Sequence, residues 1–474
     1  MPRRPLVLTT SAADLADVFA AIRTRLDVPG PFPDPALADA EAAATDPPRP
    51  PDDLRDLPLV TIDPPESRDL DQALHLARRD EGFRIHYAIA DVPAFVRPGS
   101  DLDDEVRRRG VTHYGPDHHS PLHPPALGED AASLLPDGDR PAIVWRLDLD
   151  GAGVLVATSV RRALVRSRAK LSYEQVQAEL DAGTAGDMLS LLPLVGATRR
   201  DVERDRGGIA LPIPDQEIER VGDRYRLEFR RSRPVEEDNA QLSLLTGMAA
   251  AGIMRAGRVG IQRTLPPADD RTHRRLRAAA AALDLDWPGQ TSFPDLVRDL
   301  DPAVATHAAF LDEATVSFRG AGYRAFDGSR PSDAEHAGIA ADYAHVTAPL
   351  RRLVDRWGLA CCVALDAGEE VPEWVRASLY DLPEIMAETT RRASAYERAT
   401  VDVVEAALLS DRVGQVFSAT VVDVDEDGDR GLVLVPEPAV RARVHGQGLE
   451  PGTRIDVRVA EADVAAGRVV LERA

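Results

Sequence analysis

Three aspartates crowd one short segment of this chain, and their mutual repulsion limits how that segment can fold. Asp63, Asp69 and Asp71 lie within residues 61–74, which read TIDPPESRDLDQAL. Asp69 and Asp71 are separated by a single residue, so on an extended chain their side chains point to the same side. The Pro-Pro turn after Asp63 can bring the chain back toward them. Either water separates the three carboxylates or a cation neutralises them.

The cation alternative implies a defined chemistry. Mg²⁺ binds carboxylate oxygens and waters and keeps positions open for phosphate oxygens. Two such ions can stabilise both the attacking and the leaving oxygen of a phosphodiester. The other interpretation is a solvated loop whose aspartates serve turns and helix caps. The pattern alone favours the solvated loop, so the rest of the chain has to decide.

The composition is that of a globular protein with an acidic surface. The chain has 474 residues, 44% of them hydrophobic, and its length predicts about three domains. Its 57 basic and 79 acidic residues give a net charge of −22. This charge argues against non-specific coating of nucleic acid, because phosphate binding needs cations. A basic channel inside an acidic shell remains compatible with it.

Targeting and redox signals are weak in this sequence. The apolar run near the N-terminus is too short for a signal peptide, and no run is long enough for a transmembrane helix. Cys361 and Cys362 are adjacent and lack metal-ligand spacing. We therefore expect a reduced, cytoplasmic setting with no membrane association and no obligate protein partner.

Changes of pattern divide the chain into three regions. Residues 1–50 contain an amphipathic helix at 11–26 and end near a Pro-rich linker, which predicts a small helical unit; a truncated helix-turn-helix is one alternative for it. Residues 55–411 mix strands and helices and predict an α+β domain. Residues 413–474 change to short strands separated by turns, which fits an OB-fold barrel of five strands.

One predicted helix in the central region carries two arginines at its start. We expect it at 347–368, with Thr347 as the cap and Pro349 in the first turn. Arg351 and Arg352 would then oppose the helix macrodipole. An anionic partner is expected for them, either a phosphate or a nearby carboxylate. Further elements are predicted as strands at 83–96 and 142–150 and as helices at 171–180, 188–206 and 234–257.

Several motifs resemble the catalytic (RNB) domain of the ribonuclease II family, in family order. They are TIDPPESRDLDQAL, HYAIADVPAFVRPGSDLDDEVRRRGVTHYGPD, RPVEEDNAQLSLLTGMAAA and HAGIAADYAHVTAPLRRLVDR. The resemblance implies a mixed sheet surrounded by helices. It also implies that the barrel-like tail is an S1 RNA-binding domain.

The resemblance implies a metal site at the aspartates. Asp63, Asp69 and Asp71 match three of the four acidic positions that hold the family's metals, and Gln72 stands at the fourth. One or two Mg²⁺ ions are expected, with Mn²⁺ able to substitute. Gln72 offers an oxygen without charge, which should weaken one metal position.

Other matched positions receive roles by the same resemblance. Asp71 and Arg351 are expected to serve the chemistry, Arg351 by stabilising transition-state charge with Arg352 as second choice. Tyr173 is expected near the scissile phosphate, and Glu236 at the 3′-terminal ribose. The residues expected to bind RNA are Tyr114, which stacks on a base, together with Lys170, Tyr343, His345, Arg352 and Glu397.

The function implied is a processive 3′→5′ exoribonuclease. It would degrade single-stranded RNA with a free 3′ end to nucleoside 5′-monophosphates. The small N-terminal unit leads us to expect that structured RNA with a 3′ overhang also reaches the channel. Two alternatives stay open: a catalytically weak RNA-binding paralogue, suggested by Gln72, and a DNA exonuclease.

Overall fold

The computed structural model describes residues 12–329, 331–425 and 427–474. Two helices come first, α1 at Ala12–Arg25 and α2 at Asp34–Thr45. The amphipathic helix expected at 11–26 is confirmed, although residue 11 lies outside the described residues. Leu15, Phe19 and Ile22 recur at helical spacing and form the buried face of α1, so this helix packs onto the rest of the protein.

A mixed sheet forms the centre of the protein. Its strands are β1 Asp52–Asp53, β2 Leu59–Ile62, β3 Gln72–Arg79, β4 Gly82–Ala90, β5 Arg140–Leu149, β6 Leu155–Val165 and β7 Ser167–Leu171. They are arranged in the order β1-β6-β5-β4-β3-β2-β7, with β1–β6 and β2–β7 parallel and the other pairs antiparallel. The strand predicted at 83–96 ends at Ala90, because Pro93 lies in a short helix. The aspartate loop, residues 63–71, connects β2 to β3.

Helices cover this sheet. The first group comprises α3 Val92–Phe95, α4 Asp101–Arg109, α5 Tyr173–Asp181, α6 Leu192–Arg206 and α7 Pro234–Gly257, with single turns at Leu127–Ala131 and Leu189–Leu191. The prediction for α7 is confirmed over its whole length. Pro234 suits the first helical turn, where no N–H partner is needed, and Glu236 and Glu237 favour its positive end. Its buried residues join the core that includes Trp145 and Trp357.

The remaining elements before the tail form small sheets and further helices. The strands are β8 Asp215–Val221, β9 Arg224–Arg230, β10 Val259–Thr264, β11 Gly322–Asp327, β12 Glu335–His336 and β13 Ala341–Asp342, paired in that order as three antiparallel ribbons. The helices are α8 Asp270–Ala282, α9 Phe293–Arg298, α10 Ala305–Ala314, α11 Leu353–Asp366, α12 Glu373–Ser378 and α13 Leu382–Ser410, with a single turn at Thr315–Phe318.

The predicted start of the helix at Thr347 is wrong. Helix α11 begins at Leu353, and Arg352 before it is extended, with φ −142° and ψ 117°. Ala348 precedes a proline, which disfavours the helical conformation. Its N–H group donates to Asp355 at 2.7 Å and so forms part of a separate turn. The two arginines therefore lie before the helix, and the macrodipole argument for them does not hold.

The tail folds into a closed barrel, which confirms the predicted OB-fold. Its strands are β14 Val416–Val424, β15 Arg430–Val435, β16 Val440–His445, β17 Arg454–Asp463 and β18 Arg468–Arg473, in the order β14-β15-β16-β18-β17. The barrel contacts the central region through Arg441, which pairs with Asp312 of α10 at 2.5 Å. No helix in the described part of the chain is long and apolar enough to cross a membrane. Cys361 and Cys362 are buried as free thiols.

Candidate active site

Asp71 is the most deeply buried carboxylate of the aspartate loop. One of its oxygens accepts a hydrogen bond from the Leu350 N–H group at 2.7 Å, and the other lies 3.3 Å from Nε of Arg351. Burial raises the pKa of Asp71 to about 8, although Arg351 and the Leu350 N–H group oppose the rise. The loop thus places a buried carboxyl group directly against the half-exposed guanidinium of Arg351.

Asp63 and Asp69 add negative charge beside Asp71. Burial and the charge of Asp69 together raise the pKa of Asp63 to about 6, although Thr61, Lys170 and Arg351 oppose the rise. The Oδ2 atom of Asp63 is buried and finds no hydrogen-bond partner among the described residues. Asp69 accepts a hydrogen bond from the Tyr114 hydroxyl at 3.3 Å. The charge of Asp69 thus raises the pKa of both Asp63 and Asp71.

The loop fits a divalent cation in its chemistry but is not closed around one. The unpartnered Asp63 oxygen and the repulsion among the carboxylates suit a hard cation. Over residues 12–329, 331–425 and 427–474, however, no group of three or more His, Cys, Asp or Glu side chains could hold a metal ion as arranged. The assignment of Asp63, Asp69 and Asp71 as metal ligands therefore stays a prediction.

Gln72 is held by two hydrogen bonds. Its Nε2 donates to the Thr347 carbonyl at 2.6 Å, and its Oε1 accepts from the Tyr87 hydroxyl. These bonds tie the start of β3 to the segment before α11. The oxygen that the sequence offers to a metal is thus already bonded to Tyr87.

Lys170 is hydrogen-bonded to the aspartate loop. Its Nζ donates to the Pro65 and Ser67 carbonyls, each at 2.5 Å. A lysine side chain on β7, parallel to β2, reaches back over the aspartate loop that follows β2. Its ammonium group therefore fastens this loop, and the expectation that it faces the RNA backbone stays a prediction.

The two adjacent arginines have different environments. Arg352 donates to both oxygens of Asp355, at 2.6 and 2.9 Å, and Asp355 is fully buried. The carboxylate alternative weighed from the sequence is therefore correct for Arg352. The Arg351 side chain is 49% exposed. Its Nε lies against Asp71, and the exposed part of its guanidinium can reach a bound phosphate.

A polar stripe on α7 supports the other side of the site. The Asn239 amide donates to the Tyr173 hydroxyl at 3.2 Å, and Ser243 hydrogen bonds to Thr347 at 2.8 Å. Glu236 accepts two hydrogen bonds from Arg230 of β9, at 2.8 and 3.0 Å. Burial and the charge of Asp63 raise the pKa of Tyr173 to about 12, so this hydroxyl stays protonated.

Sequence reasoning missed three of these supporting residues: Arg230, Asn239 and Ser243. A signal for two of them was present. Glu236, Asn239 and Ser243 follow a spacing of three and four residues, which places polar groups on one face of a mostly apolar helix. The partnership of Arg230 with Glu236 depends on how the β8–β9 hairpin meets α7, and no local pattern encodes it.

A cavity of about 310 Å³ opens in front of Arg351. Predicted site residues on its wall are Tyr114, His345, Arg351, Arg352 and Glu397. A second cavity, of about 790 Å³, shares Ser394 and Glu397 with the first and extends to the barrel. Arginines line it, namely Arg398, Arg441, Arg443 and Arg468. Glu397, Asp402 and Glu405 also line the second cavity, and Arg263, Arg351 and Arg352 line the first, so the groove from the barrel to Arg351 carries seven arginines against three acidic residues and is basic on balance.

Two predicted residues sit deeper than expected. Tyr343 is 7% exposed and packs so closely on α7 that a Cβ at Gly247 would lie 2.2 Å from its ring. It supports the cavity wall from behind. His345 bonds through Nδ1 to the Tyr323 hydroxyl at 2.7 Å, and burial lowers its pKa well below the ordinary value, so it is neutral. It can offer hydrogen bonding to a ligand but no positive charge.

Comparison with protein families assigns both folded regions. The family model described as the RNB domain matches residues 52–357. The chain belongs to the RNB family. A second model, the RNase II-type exonuclease C-terminal S1 domain, matches residues 415–474. The predicted resemblance and the predicted fold class are confirmed, whereas the domain boundaries at 50–55 and 411–413 stay predictions.

Curated relatives of this RNB-family protein are ribonucleases of greater length. Ribonuclease R of Escherichia coli is 28% identical over 402 residues, which cover 78% of this chain and 48% of that protein. The exosome complex exonuclease RRP44 homolog A of Arabidopsis thaliana is 29% identical over 324 residues, covering 64% and 34%. This chain spans about half the length of the E. coli ribonuclease R and about a third of the length of the RRP44 homolog.

Solved structures share the fold of this RNB-family protein. Mycoplasma genitalium RNase R in complex with ribose methylated single-stranded RNA has a TM-score of 0.84 at 19% identity, covering 96% of this chain and 77% of that one. The same protein with double-stranded RNA gives 0.82 at 20% identity, covering 96% and 82%. Yeast Ssd1, described as a pseudonuclease, gives 0.66 at 16% identity, covering 86% and 53%.

Proposed function

We propose that this protein is a metal-dependent 3′→5′ exoribonuclease that hydrolyses single-stranded RNA processively to nucleoside 5′-monophosphates. The observation that carries the proposal is the buried Asp71 against the half-exposed Arg351, at the end of a basic groove. Family membership supports it, because nucleases of the RNB family are metal-dependent and act from the 3′ end. Relatives solved with RNA support RNA as the substrate.

The groove dictates how RNA would approach. Arg398, Arg443 and Arg468 offer cations to the phosphates of a single strand entering beside the barrel. Tyr114 is 53% exposed and presents its ring to a base near the end of the path. The 3′ end would then reach the aspartate loop with Arg351 beside the scissile phosphate.

At the site, the chain's own residues bind and orient the reacting groups. Arg351 donates to the phosphate oxygens and stabilises the charge that develops on them. Glu236, fixed by Arg230, accepts a hydrogen bond from the 3′-terminal ribose, and the protonated Tyr173 hydroxyl donates to the phosphate. A divalent cation, Mg²⁺ or Mn²⁺, held by Asp63, Asp69 and Asp71 would supply the Lewis acidity for hydrolysis.

A catalytically weak RNA-binding paralogue is the second candidate. Gln72 stands where the family has an acidic ligand, and its amide nitrogen and oxygen are hydrogen-bonded to Thr347 and Tyr87. The fold is also shared with Ssd1, a pseudonuclease. In this case the groove would hold RNA and leave it intact.

A time course on 5′-labelled RNA separates the two. We expect the protein with Mg²⁺ or Mn²⁺ to shorten the RNA from its 3′ end, and EDTA or Asp71→Asn to abolish this. DNA of the same sequence should stay intact. Asp148→Asn provides the matched control, because Asp148 is as buried as Asp71 but pairs with Arg84 on the sheet. RNA that is bound but never shortened by the unaltered protein would favour the paralogue.

A further inference from the structure

The loop that carries Tyr114 is a closed unit between two parts of the protein. We call residues 112–121 the stacking loop. Its ends are joined by two hydrogen bonds between His113 and Ser120, at 2.9 and 2.8 Å. On one side the Thr112 N–H group donates to the Arg351 carbonyl at 3.0 Å. The loop therefore shares its backbone contacts with the segment that bears Arg351.

Helix α1 holds the opposite side of the stacking loop. Arg23 donates to both carboxylate oxygens of Asp117, at 2.9 Å each, and lies 3.4 Å from the Tyr396 hydroxyl. The side chains of this ion pair are 23% and 18% exposed, so water screens the pair only in part. Arg23 and Asp117 thus connect the helix to the tip of the loop.

The loop tip is packed against the same tyrosine. A Cβ at Gly115 would lie 2.1 Å from the Tyr396 hydroxyl, so the backbone next to Tyr114 rests directly on this group. Glycine is required there because any side chain would push the loop away from α13. The position of the Tyr114 ring thus depends on the group that Arg23 contacts.

The segment after α1 anchors the base of the loop. The Ser120 hydroxyl donates to the Pro29 carbonyl at 2.6 Å, and Arg109 donates to the Gly30 carbonyl at 2.6 Å. The Arg109 guanidinium also lies 3.5 Å from the centre of the Phe32 ring. Both the tip and the base of the stacking loop are therefore attached to residues 23–32.

We propose that Arg23 and Asp117 are positioning residues that hold Tyr114 in place for stacking on RNA. The N-terminal helical unit would then take part in substrate binding through this ion pair, without touching RNA itself. This inference rests on the proposed function, because it assigns a substrate-positioning role within the same site. Loss of the pair should release the loop tip and weaken stacking, while Arg351 and the aspartate loop keep their geometry.

RNA binding in a double-mutant cycle tests the proposal without requiring cleavage. The measurement is the affinity of a fluorescein-labelled single-stranded oligoribonucleotide, by anisotropy, in the Asp71→Asn background. We expect Arg23→Met to weaken binding about tenfold, comparable to loss of one stacked base. In the Tyr114→Ala background the same change should have an effect below about twofold, because the coupled interaction is already absent.

Controls keep the result specific. Arg25→Met changes an exposed arginine of the same helix and should bind as the unaltered protein does. Asp117→Asn tests the pair from the loop side and leaves α1 intact, should Arg23→Met fail to fold. In the cleaving protein, Arg23→Met should raise KM about tenfold and lower kcat by a smaller factor, because the ion pair acts on RNA binding through the stacking loop.

The outcomes separate this inference from the proposed function. Unchanged affinity in Arg23→Met and Asp117→Asn, or an equal loss with and without Tyr114, would overturn the positioning role. RNA that is bound with the expected coupling but never cleaved would overturn the exonuclease proposal alone. Absence of RNA binding by every variant would overturn both.

Discussion

Glu405 and Asp63 lie in two different regions of this molecule, and the surroundings of these two carboxylates differ. At the junction with the barrel, Glu405 of α13 is 4% exposed and burial raises its pKa to about 7. One of its oxygens accepts from Gln216 at 2.6 Å and from the Arg441 N–H group at 2.7 Å. In the aspartate loop, burial raises the pKa of Asp63 to about 6, and its buried Oδ2 finds no partner in the described part of the chain.

Glu405 therefore has a structural role, whereas Asp63 has an oxygen atom that is unpartnered among the described residues and can bind a ligand. Glu405 has two internal donors on one oxygen, so it connects the hairpin, α13 and the barrel, although burial still raises its pKa. The buried Oδ2 atom of Asp63 has no donor in the described part of the chain, and the charge of Asp69 adds repulsion. Perturbed acids of the second kind concentrate at functional sites. The following predictions test whether this distinction holds, in order of decreasing expected effect.

Arg352→Met should leave the buried Asp355 carboxylate without its ion-pair partner. Asp355 is fully buried and would lose both hydrogen bonds from Arg352, keeping the one from the Ala348 N–H group. Breaking a buried pair from one side costs about 3–5 kcal/mol of stability. Urea unfolding measures the loss. The double variant Arg352→Met with Asp355→Asn should recover part of it, and an unchanged unfolding midpoint in the single variant would contradict the structural role of this pair.

Arg351→Met should act on chemistry instead. The Arg351 side chain is 49% exposed and Asp71 would keep its hydrogen bond from Leu350, so Arg351→Met should cost less stability than Arg352→Met. We expect kcat on single-stranded RNA to fall by about 10²–10³, the usual effect of losing one group that stabilises transition-state charge. Single-turnover cleavage gives the value. If kcat stayed within threefold, Arg351 would not be the group that faces the phosphate.

Glu405→Gln should stabilise the protein only at higher pH. The folded pKa of Glu405, about 7, exceeds its ordinary value of 4.5, with Asp402 adding repulsion and Arg441 opposing it. Its contribution to stability is therefore present below pH 4.5 and is lost as pH rises through 7. Glutamine never ionises, so the variant should match the unaltered protein near pH 4.5 and exceed it by about 3 kcal/mol at pH 8.

Chemical denaturation across this pH range measures the Glu405 effect. Glu384→Gln is the matched control, because Glu384 is an exposed glutamate of the same helix. The control should show no such pH dependence. Equal stability of Glu405→Gln and the unaltered protein at pH 8 would mean that the ionised Glu405 carboxylate does not destabilise the folded protein.

The sequence was sufficient where local chemistry decides the structure. Helix α7 could be placed from Pro234 to Gly257, because its first turn and its apolar pattern are both encoded locally. The barrel followed from short strands and turns, although Glu426, in the predicted hairpin between β14 and β15, lies outside the described residues. The family motifs then brought Asp71 and Arg351 to one site, and the structure brings them into contact.

The contacts that the sequence did not indicate join residues that are distant along the chain. Lys170 bonds to carbonyls of the aspartate loop, and Gln72 bonds to the Thr347 carbonyl, 275 residues away. Backbone carbonyls carry no sequence signal, so these partnerships could not be predicted. The start of α11 was misplaced for another reason. The Ala348 N–H group donates to Asp355 and forms a separate turn before the helix.

The fastening of the aspartate loop by Lys170 has a practical consequence. Lys170 is the only lysine of the chain, so it is the only side chain with a primary amine. While its Nζ donates to Pro65 and Ser67, the amine is occupied and shielded from acylating reagents. Any opening of the loop exposes it. The rate at which an amine-reactive dye labels Lys170, measured on the peptide that contains it and so apart from the α-amino group, therefore reports loop opening.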